Sequence, residues 1–477
     1  MTSSPYPLSR EEPHREEQNV LEPNLAGTVV FAFALAAAWF SGEPAAGQLT
    51  ETLHTQATLV GVGLLVSMAI DYQRGPRNLI RADIVCLLAL YFLTFVEFLF
   101  PQPGFEVAAG LADIPGASRM TLLSFAGLAI GRHFGHTRDK SVVPYGKAFT
   151  LAPAHWLWML WIATIFGYLS MLLAVNFNII DMINAMMAPR FSQPWGRGKF
   201  GDWKALVYEL SNLIYLIPPL YGVLVAKRKH ISFGAFMLAT VIALFTLFYG
   251  FSSGTRNVFA TYVAGMLGAY LLVLPKIRTR DLVLIGLLGG TLLYTSTKHM
   301  LAFRQIGLSK YLEQGEVNTT YEKNGEFFVD DNLFNLAILM DAFPARYEFL
   351  GWDVPYNALV RPIPRAIWPG KPEGLKVGIE EAVGMEGLTL SVTFTGEAYM
   401  AGGVFGVIVA GLFFGGLCGY WNSRFRGRWD AFSQLVYATG FLPAAISMRS
   451  LLTTTTALLP IFALLALSSW FRPPPRK

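Results

Sequence analysis

The chain has 477 residues, of which 53% are hydrophobic and only 14% charged. Soluble domains carry about a quarter charged residues, so this composition excludes an ordinary soluble enzyme and makes lipid the solvent for most of the chain. The net charge of +5 comes from small basic clusters at the ends of apolar segments, which is no nucleic-acid signature.

A polar tail, residues 1–24, carries Glu11, Glu12, Glu16 and Glu17 and leads into an apolar run at 25–40. It reads as a cytoplasmic tail before a first span, without a cleavable signal peptide. Further spans are expected near 55–70, 84–100, 114–130, 154–175, 204–226, 233–250, 257–274, 282–297, 396–420, 430–448 and 451–471. The expected fold is therefore all-α, a polytopic membrane protein of about twelve helices of roughly 20 residues each. The fourth has a clean apolar core only over 120–130. Cys86 and Cys418 fall inside apolar segments and read as buried single thiols.

Basic residues set the expected orientation. Arg74, Arg77 and Arg81, then Arg132, Arg138, Lys140 and Lys147, then Lys227, Arg228 and Lys229, follow successive even-numbered spans. Lys276, Arg278 and Arg280, then Arg424, Arg426 and Arg428, then Arg472, Arg476 and Lys477 continue the series. All fall on one side, whereas 41–54 has no Lys or Arg and 101–119 has only Arg119. By the positive-inside rule both termini, including the tail at 472–477, are cytoplasmic. The domain plan is then helices one to nine over 25–297, a large periplasmic loop over 298–395, and helices ten to twelve over 396–471.

On the outer side, Ile179, Ile180, Ile183, Met186 and Met187 form a helical stripe opposite Asn178, Asp181 and Asn184. This predicts an interfacial helix near 178–190. Phe191, Trp195, Phe200 and Trp203 follow as an aromatic belt, with sugar stacking as the alternative.

Three arginines stand at outer span ends. Arg256 lies in the tight turn Ser252-Ser253-Gly254-Thr255-Arg256-Asn257, Arg304 follows span nine, and Arg449 precedes Ser450 and the threonine run 453–456. Each alone could snorkel to a lipid head group. Three at one face, near the outward N-termini of spans eight, ten and twelve, suit an anionic ligand.

In the loop, Asp330 and Asp331 read as the cap of a helix, with a metal site as the alternative; the helix bears Leu333, Phe334, Ala337, Ile338 and Met340 and is ended by Pro344, with Asp341 and Glu348 on or beyond it. Glu43, Glu51 and His54 lack metal-ligand spacing, and no metal is expected. The loop also carries Pro364-Arg365-Ala366-Ile367-Trp368-Pro369-Gly370-Lys371-Pro372. Glu397, in Thr393-Phe394-Thr395-Gly396-Glu397-Ala398-Tyr399, is expected at the outer lip of span ten. A carboxylate there needs a cation or a proton, which suits a general base or an arginine partner.

Gly254-Thr255-Arg256, Phe303-Arg304, the Pro364–Pro372 run, Gly396-Glu397-Ala398-Tyr399 and Arg449 together resemble the O-antigen and oligosaccharide repeat-unit polymerases of the Wzy type. The resemblance covers about residues 200–470. It implies a GT-C-like membrane glycosyltransferase of polysaccharide (lipopolysaccharide) biosynthesis in the bacterial inner membrane, active without a cofactor or metal at the periplasmic face. The implied donor is a growing glycan on undecaprenyl pyrophosphate, and the acceptor is a lipid-linked repeat unit. A chain-length regulator, a flippase and membrane lipids are the implied partners.

Under this resemblance Arg256, Arg304 and Arg449 hold the pyrophosphate. Arg365 and Lys371 close over it or over the sugars, Tyr399 contributes to substrate binding, and Glu397 or Asp341 is the base. Two alternatives use similar parts. An O-antigen ligase would transfer the glycan to a lipid A core, but ligases carry a loop histidine and this loop has only His299, at its edge. A lipid-linked oligosaccharide flippase would fit the span count, against which stand the single late loop and the lack of a visible repeat.

Overall fold

The computed structural model describes residues 21–41, 48–108, 113–135, 151–195, 203–314, 327, 329–363, 365, 367–372, 374–384, 390–426 and 430–470. The acidic tail (Glu11, Glu12, Glu16 and Glu17), Glu43, Arg138, Lys140, Lys147, Phe200, Pro364, Ala366, Arg428, Arg472, Arg476 and Lys477 lie outside the described residues.

The described residues form helices and no strand. In chain order these are α1 (Leu25–Trp39), α2 (Leu49–Tyr72), α3 (Ala82–Thr94), α4 (Pro103–Ala108), α5 (Ile114–Gly131), α6 (Pro153–Ala174) and α7 (Ile179–Met187). Then come α8 (Trp203–Leu210), α9 (Ile217–Ala226), α10 (Phe233–Ser252), α11 (Arg256–Val273), α12 (Thr279–Ile306), α13 (Leu308–Gln314), α14 (Asn332–Ala342), α15 (Asp353–Val360) and α16 (Ile379–Val383). The last are α17 (Thr393–Phe425), α18 (Ala431–Thr439), α19 (Phe441–Arg449), α20 (Thr454–Ala457) and α21 (Leu459–Trp470).

Among the described residues eight helical stretches are long and apolar enough to cross a membrane: Leu49–Tyr72, Pro153–Ala174, Val207–Ala226, Phe233–Ser252, Arg256–Val273, Thr393–Phe425, Ala431–Arg449 and Leu451–Ser469. The chain is a polytopic helical membrane protein. Helices also lie over the other expected segments, but they differ from a simple span. α1 and α3 are apolar yet short. α5 carries Arg119, and α12 has Arg280 and Asp281 near one end and Lys298 and Arg304 near the other.

α5, whose clean apolar core is short, is central to the packing. It packs backbone to backbone on α17: a Cβ placed on Gly127 would stand 2.9 Å from the Gly411 Cα, and one on Gly415 would stand 2.5 Å from the Leu128 carbonyl oxygen. Small residues let membrane helices approach this closely, where dispersion contacts accumulate.

Two of the basic connector residues are not free positive charges. Arg81 and Arg132 are buried in an ionic cluster with Asp71 and Asp83, with Arg81 reaching Asp71 at 2.6 Å and Asp83 at 2.9 Å. Arg132 lies 3.4 Å from Asp83, and Asn422 donates to Asp83 at 2.7 Å. Their burial is compensated within the bundle, so they count little toward a positive-inside argument. The two thiols are not isolated either. Cys86 on α3 and Cys418 on α17 are buried side by side, their Sγ atoms 3.4 Å apart.

α17 is broken. Gly402 (φ −168°, ψ 32°) and Gly403 (φ 59°, ψ −143°) leave the helix, so residues 393–401 form a separate arm ahead of the spanning part. The carbonyls of Met400 and Ala401 accept instead from the backbone N–H groups of Leu350 (2.8 Å) and Gly351 (2.9 Å). Glu397 is therefore buried inside this arm and not at the lip of a continuous span.

The loop is built into the bundle. α14 buries Leu333, Leu336, Ala337 and Leu339 in the same core as α3, α5 and α17. α7 lies where the interfacial helix was expected and is capped by Asn178, which accepts from Ile180 N–H and Asp181 N–H; it docks through Met182 and Met186 and leaves Ile179 and Ile180 exposed.

Candidate functional site

α3, α7, α12 and α19 end, and α11 begins, around one open cleft with about 360 Å³ of free space. Arg190, Arg256, Arg304 and Arg449 line it, together with Phe92, Leu93, Gly254, Thr255, Asn257, Val329 and Asp330.

The α10–α11 turn supplies Arg256. Ser253 Oγ accepts from Thr255 N–H at 3.2 Å and tightens the turn. Gly254 has φ +63°, and a Cβ there would lie 2.9 Å from the Cβ of Arg304. Only glycine satisfies both the left-handed backbone and the close approach. The turn therefore seats the end of α12.

α12 stops at Gly307 (φ +88°), where a Cβ would meet the Met187 carbonyl oxygen at 2.8 Å. That contact joins the end of α12 to the segment after α7 and sets Arg304 beside Arg190. Both guanidinium carbons lie near the Phe191 ring centroid, Arg304 at 5.7 Å and Arg190 at 5.8 Å, within cation–π range.

Arg449 ends α19. Glu397 fixes the turn that follows, accepting from Ser450 Oγ at 2.6 Å and from Leu452 N–H at 3.1 Å. Asp330 approaches from the loop, its Oδ2 3.8 Å from an Arg449 nitrogen. Its backbone is held by the buried Glu97, whose Oε2 accepts from Val329 N–H at 3.1 Å and from Asp330 N–H at 3.4 Å. Asn332 adds a bond to the Leu93 carbonyl at 2.9 Å.

Four guanidinium groups thus face one carboxylate. Burial, then repulsion from Arg304 and Arg449, lowers the pKa of Arg190 to about 10. Burial and Arg449 push that of Arg304 down, with Asp330 opposing. Burial and Asp330 raise that of Asp331 to about 6, with Arg256 opposing. Arginines packed closely enough to disfavour one another form an electrostatic sink for a multiply charged anion. Their planar donor forks match phosphate oxygens.

The residues singled out from sequence divide into two groups. Arg256, Arg304 and Arg449 share the cleft. Glu397, Asp341, Tyr399, Arg365 and Lys371 are not among its lining residues. Glu397 accepts from Ser450 Oγ and Leu452 N–H. Asp341 is exposed on α14, and Tyr399 sets its ring edge against Phe349 at 5.9 Å. Arg365 donates to the Pro372 carbonyl at 2.9 Å, and Lys371 to those of Arg361 (2.7 Å) and Ile363 (2.9 Å), so both brace their own loop.

Of the three helix N-termini expected at the site, only that of α11 lines the cleft, since Arg304 and Arg449 sit in the last turns of α12 and α19. Asp331 occupies the N-cap position of α14 but makes no capping bond through its side chain, and Asp330 faces the arginines.

Arg190 and Asp330 are the charged lining residues that sequence reasoning did not place at the site. Arg190 carried a signal, as a basic residue on the side where such residues are scarce. Asp330 carried an ambiguous one, because an acid before an apolar helix also reads as a cap. Among the described residues no group of three or more His, Cys, Asp or Glu side chains could hold a metal ion. Comparisons with known protein families, with characterised proteins and with solved structures find no match.

Proposed function

We propose that the chain is an oligosaccharide repeat-unit polymerase of the Wzy type, a GT-C-like protein of about twelve spans with its cleft at the periplasmic face of a bacterial inner membrane. The observation that carries this is the meeting of Arg190, Arg256, Arg304 and Arg449, from four separate segments, around one cleft at the end of a membrane bundle. A cleft so charged suits a diphosphate, and its place at the helix ends suits one attached to a lipid.

In the proposed reaction an acceptor hydroxyl attacks the anomeric carbon of the glycan on undecaprenyl pyrophosphate, and the lipid diphosphate leaves. Charge grows on the leaving oxygen as the glycosidic bond breaks. Guanidinium groups already in place stabilise that charge more in the transition state than in the ground state. Arg256 and Arg304, tied together through Gly254, hold the diphosphate. Arg449, steadied by Glu397, holds it from the opposite helix. The lipid-linked repeat unit serves as acceptor.

His299 supports this reading over a ligase. Its Nδ1 lies 2.8 Å from the Tyr311 hydroxyl, and it does not line the cleft.

The test is glycan chain length in a strain whose own polymerase gene is deleted. R256A, R304A and R449A, each at parental expression, are expected to give single repeat units where the parent gives a ladder. Full ladders from all three would overturn the proposal.

A further inference from the structure

Resting on the polymerase reading above, we infer that Asp330 is the catalytic base that takes the proton of the attacking hydroxyl. Such a base must lie within hydrogen-bond reach, about 3 Å, of the attacking oxygen. That oxygen is itself about 3 Å from the anomeric carbon in a near-attack geometry. The anomeric carbon is one bond from the leaving diphosphate. The base therefore belongs about one sugar ring from the arginines that hold the leaving group. Among the described residues, Asp330 is the only carboxylate lining the arginine cleft, 3.8 Å from Arg449 and about one third exposed (35%).

The mounting is specific. Glu97 accepts from the successive N–H groups of Val329 and Asp330, so the Asp330 side chain is delivered to the cleft from a fixed backbone. The two acids expected from sequence do not fit. Glu397 spends both oxygens on Ser450 and Leu452, and Asp341 is exposed away from the cleft.

The charge arrangement also explains how a carboxylate beside arginines acts as a base. In the unliganded cleft Asp330 neutralises part of the guanidinium charge. An arriving diphosphate takes over those guanidiniums and sets a second anion beside Asp330. With the guanidinium groups drawn to the diphosphate, the carboxylate oxygens are left to accept from the attacking hydroxyl. In the transfer step the hydroxyl oxygen bonds to the anomeric carbon and its proton passes to Asp330. The bond from that carbon to the diphosphate oxygen breaks, and its electron pair leaves on the diphosphate. Water then removes the proton from Asp330.

The test compares the full-length parent with D330N. One arm measures binding of undecaprenyl pyrophosphate to protein in lipid nanodiscs; the other measures the glycan ladder in the polymerase-deleted strain. D330N is expected to bind at least as tightly as the parent, because a competing anion is gone, and to lose polymerisation by about 100-fold or more. Parental ladders from D330N would overturn the inference while leaving the polymerase reading standing. Loss of binding in D330N would also overturn it, by assigning Asp330 a structural role. A parent that fails to bind undecaprenyl pyrophosphate would overturn the polymerase reading itself. The equal-sized pair D330E and D330Q covers poor recovery of D330N: D330E is expected to keep a partial ladder and D330Q none, and equal ladders would count against the inference.

Discussion

Glu397 positions Arg449 through the turn that follows it. The Glu397 carboxylate holds Ser450 at 2.6 Å and Leu452 at 3.1 Å, which are the residues immediately beyond the arginine that ends α19. Because Glu397 rides on the arm before the Gly402–Gly403 break, the arm and the cleft are mechanically joined.

Removing that brace should loosen the cleft without removing a charge from it. E397A is expected to destabilise the protein by about 1–3 kcal/mol, the usual cost of orphaned buried donors. It should also weaken undecaprenyl pyrophosphate binding less than R449A does. Thermal unfolding in detergent and binding in nanodiscs measure the two effects. A variant with parental stability would contradict the brace.

Gly254 makes a sharper geometric prediction. G254A puts a methyl group against Arg304 at a backbone angle that only glycine adopts freely. The expected cost is about 1–3 kcal/mol, together with a shortened glycan ladder as Arg304 is displaced. G254S should behave the same way. Normal ladders from both would show that the Arg256–Arg304 spacing tolerates change.

Asp331 predicts a pH dependence of stability. Its folded pKa of about 6 lies above the ordinary aspartate value of 3.8, chiefly through burial. A carboxyl raised in this way favours the fold while protonated, and the benefit is lost as pH rises through about 6. D331N should therefore be more stable than the parent at pH 7.5, by at most about 3 kcal/mol, with the gap closing toward pH 4. Unfolding of both proteins across pH 4–8 gives the comparison, and a gap that grows on acidification would contradict it.

The helical membrane character was legible because apolar runs of span length carry it directly. Arg256, Arg304 and Arg449 were legible as well, since cations at span ends are costly and stand out. What stayed hidden depended on tertiary contacts. Nothing local distinguishes Asp330 as a cleft residue from Asp330 as a cap, because that outcome is decided by Glu97 more than two hundred residues away. Glu397 was visible as an expensive acid, but its hydrogen-bond partners Ser450 and Leu452 lie more than fifty residues away and carry no local signal. Arg81 and Arg132 read as loose connector charges because their acids, Asp71 and Asp83, lie on helices counted as spans. The break in α17 hid behind two glycines in a chain rich in them.

Binding of undecaprenyl pyrophosphate to the parent and to R256A, R304A and R449A in nanodiscs, with undecaprenyl monophosphate as comparison, tests the central claim most directly. The account predicts a preference for the diphosphate in the parent and a loss of about 10-fold or more in each variant, the worth of a charge-assisted hydrogen bond of about 1.5–3 kcal/mol. Equal affinity for the two lipids, unchanged by any of the three substitutions, would contradict it.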